Sequence, residues 1–264
     1  MSDQLLDQIC EIVRQTGSIV LSASADKEIK AKEGAANYVT KYDSKVQKYL
    51  VAELTRLLPE ATFVGEEDGF SSHKISSGYT FIIDPIDGTT NFICEFMCSG
   101  ICVGLAIHGT MEIGVVYNPF RDELFCARRG QGSYLNGSPL HVHNRPLNEG
   151  VVNIDIAPYN PELRERAFAV STAISYHSMD IRDIGSAALG ICYVACNRCV
   201  AYISHLLSTW DYAAASLILT EAGGVFTDLQ GHALPLKAKT SLLASTETGL
   251  QQTLDLIHPV LFPN

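Results

Sequence analysis

The chain has 264 residues, 47% of them hydrophobic, which is enough to bury a substantial core and excludes a disordered polypeptide. Nineteen Lys and Arg against 29 Asp and Glu leave a formal charge of -10. That balance argues against nucleic acid as a partner, because nonspecific phosphate-backbone binding rests on clustered cations.

Met1-Ser2-Asp3-Gln4 forms no basic leader, and no apolar stretch nears the roughly 20 residues that span a bilayer, so a cytoplasmic location without a membrane partner is expected. Eight cysteines, at 10, 94, 98, 102, 126, 192, 196 and 199, are then expected as free thiols, most of them small core residues.

Over residues 3–22, Leu5, Leu6, Ile9, Ile12, Val13 and Ile19 recur near the helical period, predicting an amphipathic helix capped by Ser2 or Asp3. Residues 27–36, polar around Gly34, read as a loop or hairpin leading to Tyr38-Val39-Thr40. A second helix is expected over 43–58, with Asp43 as N-cap, Val46, Leu50, Leu54 and Leu57 or Leu58 on one face, and Pro59 as the stop. Thr62-Phe63-Val64 is a short strand entering Gly65-Glu66-Glu67-Asp68-Gly69. Three acids in that turn repel one another unless a cation neutralises them, although a solvated acidic loop accounts for the segment equally well.

Chemistry concentrates in residues 79–92, Tyr-Thr-Phe-Ile-Ile-Asp-Pro-Ile-Asp-Gly-Thr-Thr-Asn-Phe. A buried strand over 80–83 delivers Asp84, and Pro85 is expected to turn the chain at once, bringing Asp87 back beside it. Two close carboxylates, with the Ile86 carbonyl between them, call for a hard cation such as Mg²⁺. Gly88-Thr89-Thr90-Asn91 then reads as the opening of a helix whose free N–H groups favour an anion. The bland alternative is a strand-turn-helix in which the acids merely cap.

From 98 to 156 the pattern is an antiparallel meander, with strands over 101–107, 112–117 and 123–127 and an Asn136-Gly137 hairpin turn of type I′. His141 and His143 would share one face of a strand. The second half alternates: strand 151–156, helix 161–174, helix 186–199, strand 200–203, helix 211–222 closed by Gly223-Gly224, strand 242–245 and a terminal helix. Asp211 lies in the first turn of its helix, a position an N-terminal carboxylate alone would explain.

The string Asp84-Pro85-Ile86-Asp87-Gly88-Thr89-Thr90-Asn91, together with Gly65-Glu66-Glu67, Trp210-Asp211-Tyr212-Ala213-Ala214-Ala215 and Glu221-Ala222-Gly223-Gly224, closely resembles the signature of the inositol monophosphatase family across nearly the whole chain. Haloacid-dehalogenase-type phosphatases share an Asp-Gly-Thr string but need an Asp where this chain has Pro85.

The resemblance implies a Mg²⁺-dependent phosphomonoesterase acting on a small phosphorylated metabolite, in a single domain over 1–264. Its fold would be a layered α-β-α-β-α sandwich, with an α+β half over 1–146 and an α/β half over 147–264, and the protein would usually be a homodimer. It assigns Glu66, Asp84, the Ile86 carbonyl, Asp87 and Asp211 to two or three Mg²⁺ ions, with Glu67 a lesser candidate. Thr89, linked to Glu66 or Asp43, would orient the attacking water. Asp87, Gly88, Thr89, Gly185, Ser186, Ala187, Ser204 and Asp211 would contact substrate. Inositol phosphatases of the family carry a ring-binding Glu seven residues before the Trp-Asp aspartate, where this chain has Ser204. Sugar phosphates, histidinol phosphate and 3′-phosphorylated adenosine nucleotides therefore stay open as substrates, as does a noncatalytic regulatory role.

Overall fold

The computed structural model describes residues 4–23, 26–32, 38–67, 69–70, 74–236 and 239–263. The expected caps Ser2 and Asp3, the loop glycine Gly34 and the acid Asp68 lie outside them.

Five layers alternate. The outermost is the pair α1 (Gln4–Leu21) and α2 (Lys41–Leu57), which buries Ile9, Val13, Val46, Leu50 and Leu54 against one face of a seven-stranded sheet. That sheet runs in the order β3 (Thr62–Gly65), β4 (Tyr79–Asp87), β5 (Gly100–Ile107), β6 (Thr110–Asn118), β7 (Glu123–Arg128), β8 (Ser133–Leu135), β9 (Ser138–Pro139). The middle layer holds α5 (Ala187–Ala195) and α6 (Thr209–Glu221). A five-stranded sheet follows, ordered β11 (Asp180–Arg182), β10 (Val151–Ile154), β12 (Ala201–Ser208), β14 (Lys239–Ser245), β13 (Val225–Thr227). The last layer is α4 (Pro161–Ser175) with α7 (Glu247–Leu261). A two-stranded hairpin, β1 (Lys30–Ala31) with β2 (Tyr38–Val39), stands apart from both sheets. The expected sandwich is therefore the observed one. No described helix is long and apolar enough to cross a membrane.

The layering follows from strands that are apolar on both sides. In β4, Phe81 and Ile83 face the α1–α2 core while Ile82 faces the central one. In β12, Ala201 and Ile203 pack toward α4 and α7 while Tyr202 and Leu207 pack toward α5 and α6. Helix α6 approaches the large sheet closely where Gly104 and Gly114 are register partners: a Cβ on Gly114 would lie 2.3 Å from the Ala214 carbonyl oxygen.

Several expectations shift locally. Pro85 does not turn the chain. Strand β4 continues to Asp87, and pairing passes from Asp84↔Cys102 to Asp87↔Gly100, so three steps on β4 meet two on β5. This is a β-bulge, where a residue without an N–H costs no ladder bond. Thr40, not Asp43, is the N-cap of α2; Asp43 sits at the third helical position and completes a capping box by accepting from Thr40 N–H at 2.7 Å. Helix α5 ends at Ala195 rather than at 199, because Asn197 takes a positive φ of 65°. His141 and His143 occupy no strand. Their segment is tethered instead by Asn197, whose carboxamide accepts from His143 N–H and donates to the His141 carbonyl. The Asn136-Gly137 turn has φ of 48° and 80°, the paired positive values of type I′.

Candidate active site

Glu66, Asp84, Ile86, Asp87, Gly88, Thr89, Gly185, Ser186, Ala187 and Asp211, singled out in the sequence, all line one cleft of about 690 Å³ between the sheets. Strand β4 and its bulge place Asp84 and Asp87 at the carboxyl end of that strand. Gly88, at φ 87°, then lets the chain enter α3 (Thr89–Ile93), and a side chain there would lie 2.8 Å from the Gly185 carbonyl oxygen.

The N-termini of α5 and α6 line this cleft, and that of α2 stands behind it, where fully buried Asp43 reaches the site only through Thr89; each of the three holds an acid. Asp211 accepts from Ser208 N–H at 2.7 Å at the start of α6. Asp43 does the same for α2. Asp87 reaches across the cleft to α5, accepting from the Ser186 hydroxyl and from the backbone N–H groups of Ala187 at 3.2 Å and Ala188 at 2.9 Å. Free N–H groups and helix dipoles favour the charged form of each. Holding a helix N-terminus and lining the cleft therefore coexist in Asp87 and Asp211.

Burial opposes that charge. The Asp84 carboxyl is raised well above the usual range by burial, then by the charges of Glu66, Asp87 and Asp211. Asp211 is raised similarly by burial, Glu66 and Asp87. Burial lifts Asp87 to about 6 despite its three donors, and lifts Asp43 against the two Thr40 donors. Glu67 is pushed up to about 7 by burial, partly offset by Lys32. The Lys32 ammonium contacts Glu66 at 2.8 Å and also Glu67; burial works against its charge, but the two carboxylates outweigh burial and raise its pKa.

Thr89 Oγ1 lies 3.2 Å from Asp43 Oδ1 and 3.1 Å from the Ile86 carbonyl oxygen, so its single proton is directed to one of two acceptors. Of the two acids expected to hold Thr89, Asp43 makes the hydrogen bond.

Ser204, expected to contact substrate, does not line the cleft. It is fully buried behind the cleft wall and donates to Asp155 Oδ2 at 2.8 Å. Asp155 itself lines the cleft, as do Asn153, Tyr159, Asp183 and Lys239, none of which the motif reading reached. The signal for two of them was present: in Val152-Asn153-Ile154-Asp155, polar residues alternate with apolar ones that pack toward α4 and α7.

Residues 1–260 match the model of the inositol monophosphatase family. The chain belongs to that family. Inositol monophosphatase 2 of Rattus norvegicus is 33% identical over 250 residues, covering 92% of this chain and 86% of the relative. A Haemophilus influenzae relative named Nus factor SuhB is 31% identical over 260 residues, covering 97% of each. Among solved structures, inositol monophosphate-bound SaIMPase-II superposes with a TM-score of 0.80 at 26% identity, covering 95% of this chain and 93% of that one.

All donors that this family member offers to a cation are oxygens, which suits Mg²⁺. Among the described residues no three His, Cys, Asp or Glu side chains close on one point. The sign of fit is the set of neighbouring carboxylates whose pKa values are raised by burial and by one another, since a cation near them removes the repulsion.

Proposed function

We propose that the chain is a Mg²⁺-dependent phosphomonoesterase that hydrolyses a small phosphate ester, such as an inositol monophosphate or a related sugar or polyol phosphate, by direct attack of water. The observation that carries this reading is the Thr89 hydroxyl, held by Asp43 and the Ile86 carbonyl beside Asp84, Asp87 and Asp211.

Glu66, Asp84, the Ile86 carbonyl, Asp87 and Asp211 would hold two or three Mg²⁺ ions. When bound, they supply positive charge to the phosphate and leaving oxygen and make a nearby water more acidic. The chain's own residues do the positioning. With its proton directed to Asp43 or Ile86, Thr89 Oγ1 turns a lone pair toward the water and orients it. Asp43, fixed through Oδ2 by Thr40, keeps Oδ1 for Thr89. Backbone N–H groups of Gly88 and Thr89 receive phosphate oxygens, and the segment from Gly185 to Ala187 lies against the departing alcohol. Phosphoryl transfer needs mainly positioning and charge neutralisation, so no protein nucleophile is required. Kinship with the family is the ground for expecting a homodimer.

A second reading, a noncatalytic regulatory protein, is favoured by one observation: the relative named a Nus factor is nearly as similar as the phosphatases. Release of inorganic phosphate from inositol, sugar, histidinol and 3′-adenosine phosphates separates the two. Mg²⁺-dependent turnover of a polyol or sugar ester is expected. Folded protein inactive on the whole panel would favour the regulatory reading.

A further inference from the structure

We propose that Asp155, held in place by Ser204, is the carboxylate that reads the substrate's vicinal hydroxyls, doing from strand β10 what the family's Glu does from the position of Ser204. This deepens the phosphatase reading and rests on it.

Strands β10 and β12 are parallel neighbours, with Asn153 opposite Tyr202 and Ile154 opposite Ile203. The ladder continues one step beyond β10, where Asp155 N–H donates to the Ile203 carbonyl at 2.9 Å. Apolar Val152, Ile154, Ala201 and Ile203 point toward α4 and α7, so Asn153, Asp155, Tyr202 and Ser204 point the other way, toward the cleft.

Each Asp155 oxygen has one intramolecular donor: Ala157 N–H to Oδ1 and Ser204 Oγ to Oδ2, both at 2.8 Å. Those two bonds fix the plane of the carboxylate. Each oxygen keeps a free acceptor site, and a carboxylate with two parallel acceptor sites matches the two donors of a 1,2-diol. The other polar side chain of β10 on this face, two residues away, is turned inward. Asn153 is 1% exposed: its Oδ1 accepts from Ile184 N–H and its Nδ2 packs against α5, 2.6 Å from where a Cβ on Gly190 would sit, so it holds the strand in place beneath the cleft floor. Asp155 is thus the polar group of this strand face that is partly exposed to the cleft, and its double acceptor suits a ring polyol or sugar. Ser204 is too short and too buried to reach the cleft itself and acts as a positioning residue.

The test compares kcat and KM of wild type and Asp155→Asn on myo-inositol 1-phosphate and on p-nitrophenyl phosphate, which has no hydroxyl beyond the phosphate. Losing a charged hydrogen-bond partner is expected to lower the preference for the inositol ester, as a ratio of kcat/KM values, by about 10- to 100-fold, mainly through KM. Ser204→Ala should shift the same ratio in the same direction by less, and Ser204→Thr should restore it. Parallel loss on both esters, or an unchanged ratio, overturns the proposal. Should wild type hydrolyse neither these esters nor any of the inositol, sugar, histidinol and 3′-adenosine phosphates above, the phosphatase reading fails separately. Saturation-transfer NMR with phosphate-free myo-inositol then decides the subsite: signal from wild type that Asp155→Asn loses supports it, and no signal or equal signals refute it.

Discussion

Substituting Gly114 by Ala tests whether the contact between α6 and the large sheet holds Asp211 in place. The new Cβ would sit 2.3 Å from the Ala214 carbonyl oxygen, 3.1 Å from its carbon and 3.2 Å from its Cα, against the 3.4 Å at which ordinary contact begins. All three are backbone atoms, so α6 must retreat by about 1 Å or the strand must bend, an overpacking that costs about 1–3 kcal/mol. For a chain of this size each kcal/mol lowers Tm by about 2–4 °C. Gly104→Ala, on the register partner, is the internal control: its Cβ meets the flexible Met111 methyl at 2.7 Å and backbone only from 3.5 Å, so the smaller loss is expected there. Because Asp211 lies three residues before Ala214 on the same helix, a shift of about 1 Å should also lower kcat by up to about 100-fold. Thermal melts followed by circular dichroism, with kcat measured well below Tm, read both effects. Equal Tm for the two variants, or an unaltered Gly114→Ala, would refute this account of the helix position.

Thr89→Ala is expected to lower kcat by about 100- to 10,000-fold with Tm little changed, the range for losing a group that handles the proton of the attacking water, and Thr89→Ser should recover most of it. A Thr89→Ala enzyme with near-normal kcat would remove Thr89 from the mechanism. His205 carries the acid sensitivity of the second sheet. It is 8% exposed with neither ring nitrogen bonded; burial lowers its pKa, Asp155 opposes that and Arg166 adds to it. With the folded value below the unfolded one near 6.5, its contribution is whole above that pH and is lost as pH falls toward the folded value. Tm measured from pH 7.5 to 5 should therefore decline less steeply in His205→Leu than in wild type, and identical slopes would count against this assignment.

Long periodic segments were legible because one face of each decides its fate. The apolar stripe of α1, the meander from β5 to β7 and the Asn136-Gly137 turn need only local chemistry. Short edge elements were not. Strands β11 and β13 have three residues each, too few for a periodicity to stand out; they form because β10 and β14 offer free edges. The caps moved by a few residues for a related reason: Thr40 and Asp43 both fit the start of α2, and only the reciprocal bond between them shows which is the cap.

At the site, the acids of the motifs could be read as a group, but not what holds them. The grip of Ser186, Ala187 and Ala188 on Asp87 spans about a hundred residues of sequence. Pro85 suggested a turn because proline breaks a ladder, whereas the bulge against β5 tolerates it. Asp155 belongs to no motif, and only the fold brings it opposite Ser204 on the neighbouring strand.

The most direct test of the central claim is a calorimetric titration of Mg²⁺ into metal-stripped wild type and Asp84→Asn, with phosphate release followed in the same samples. The account predicts that wild type binds Mg²⁺, that turnover rises with occupancy and vanishes with chelator, and that Asp84→Asn loses both binding and turnover. Phosphate release that persists undiminished in chelator, or Mg²⁺ binding unchanged in Asp84→Asn, would contradict it.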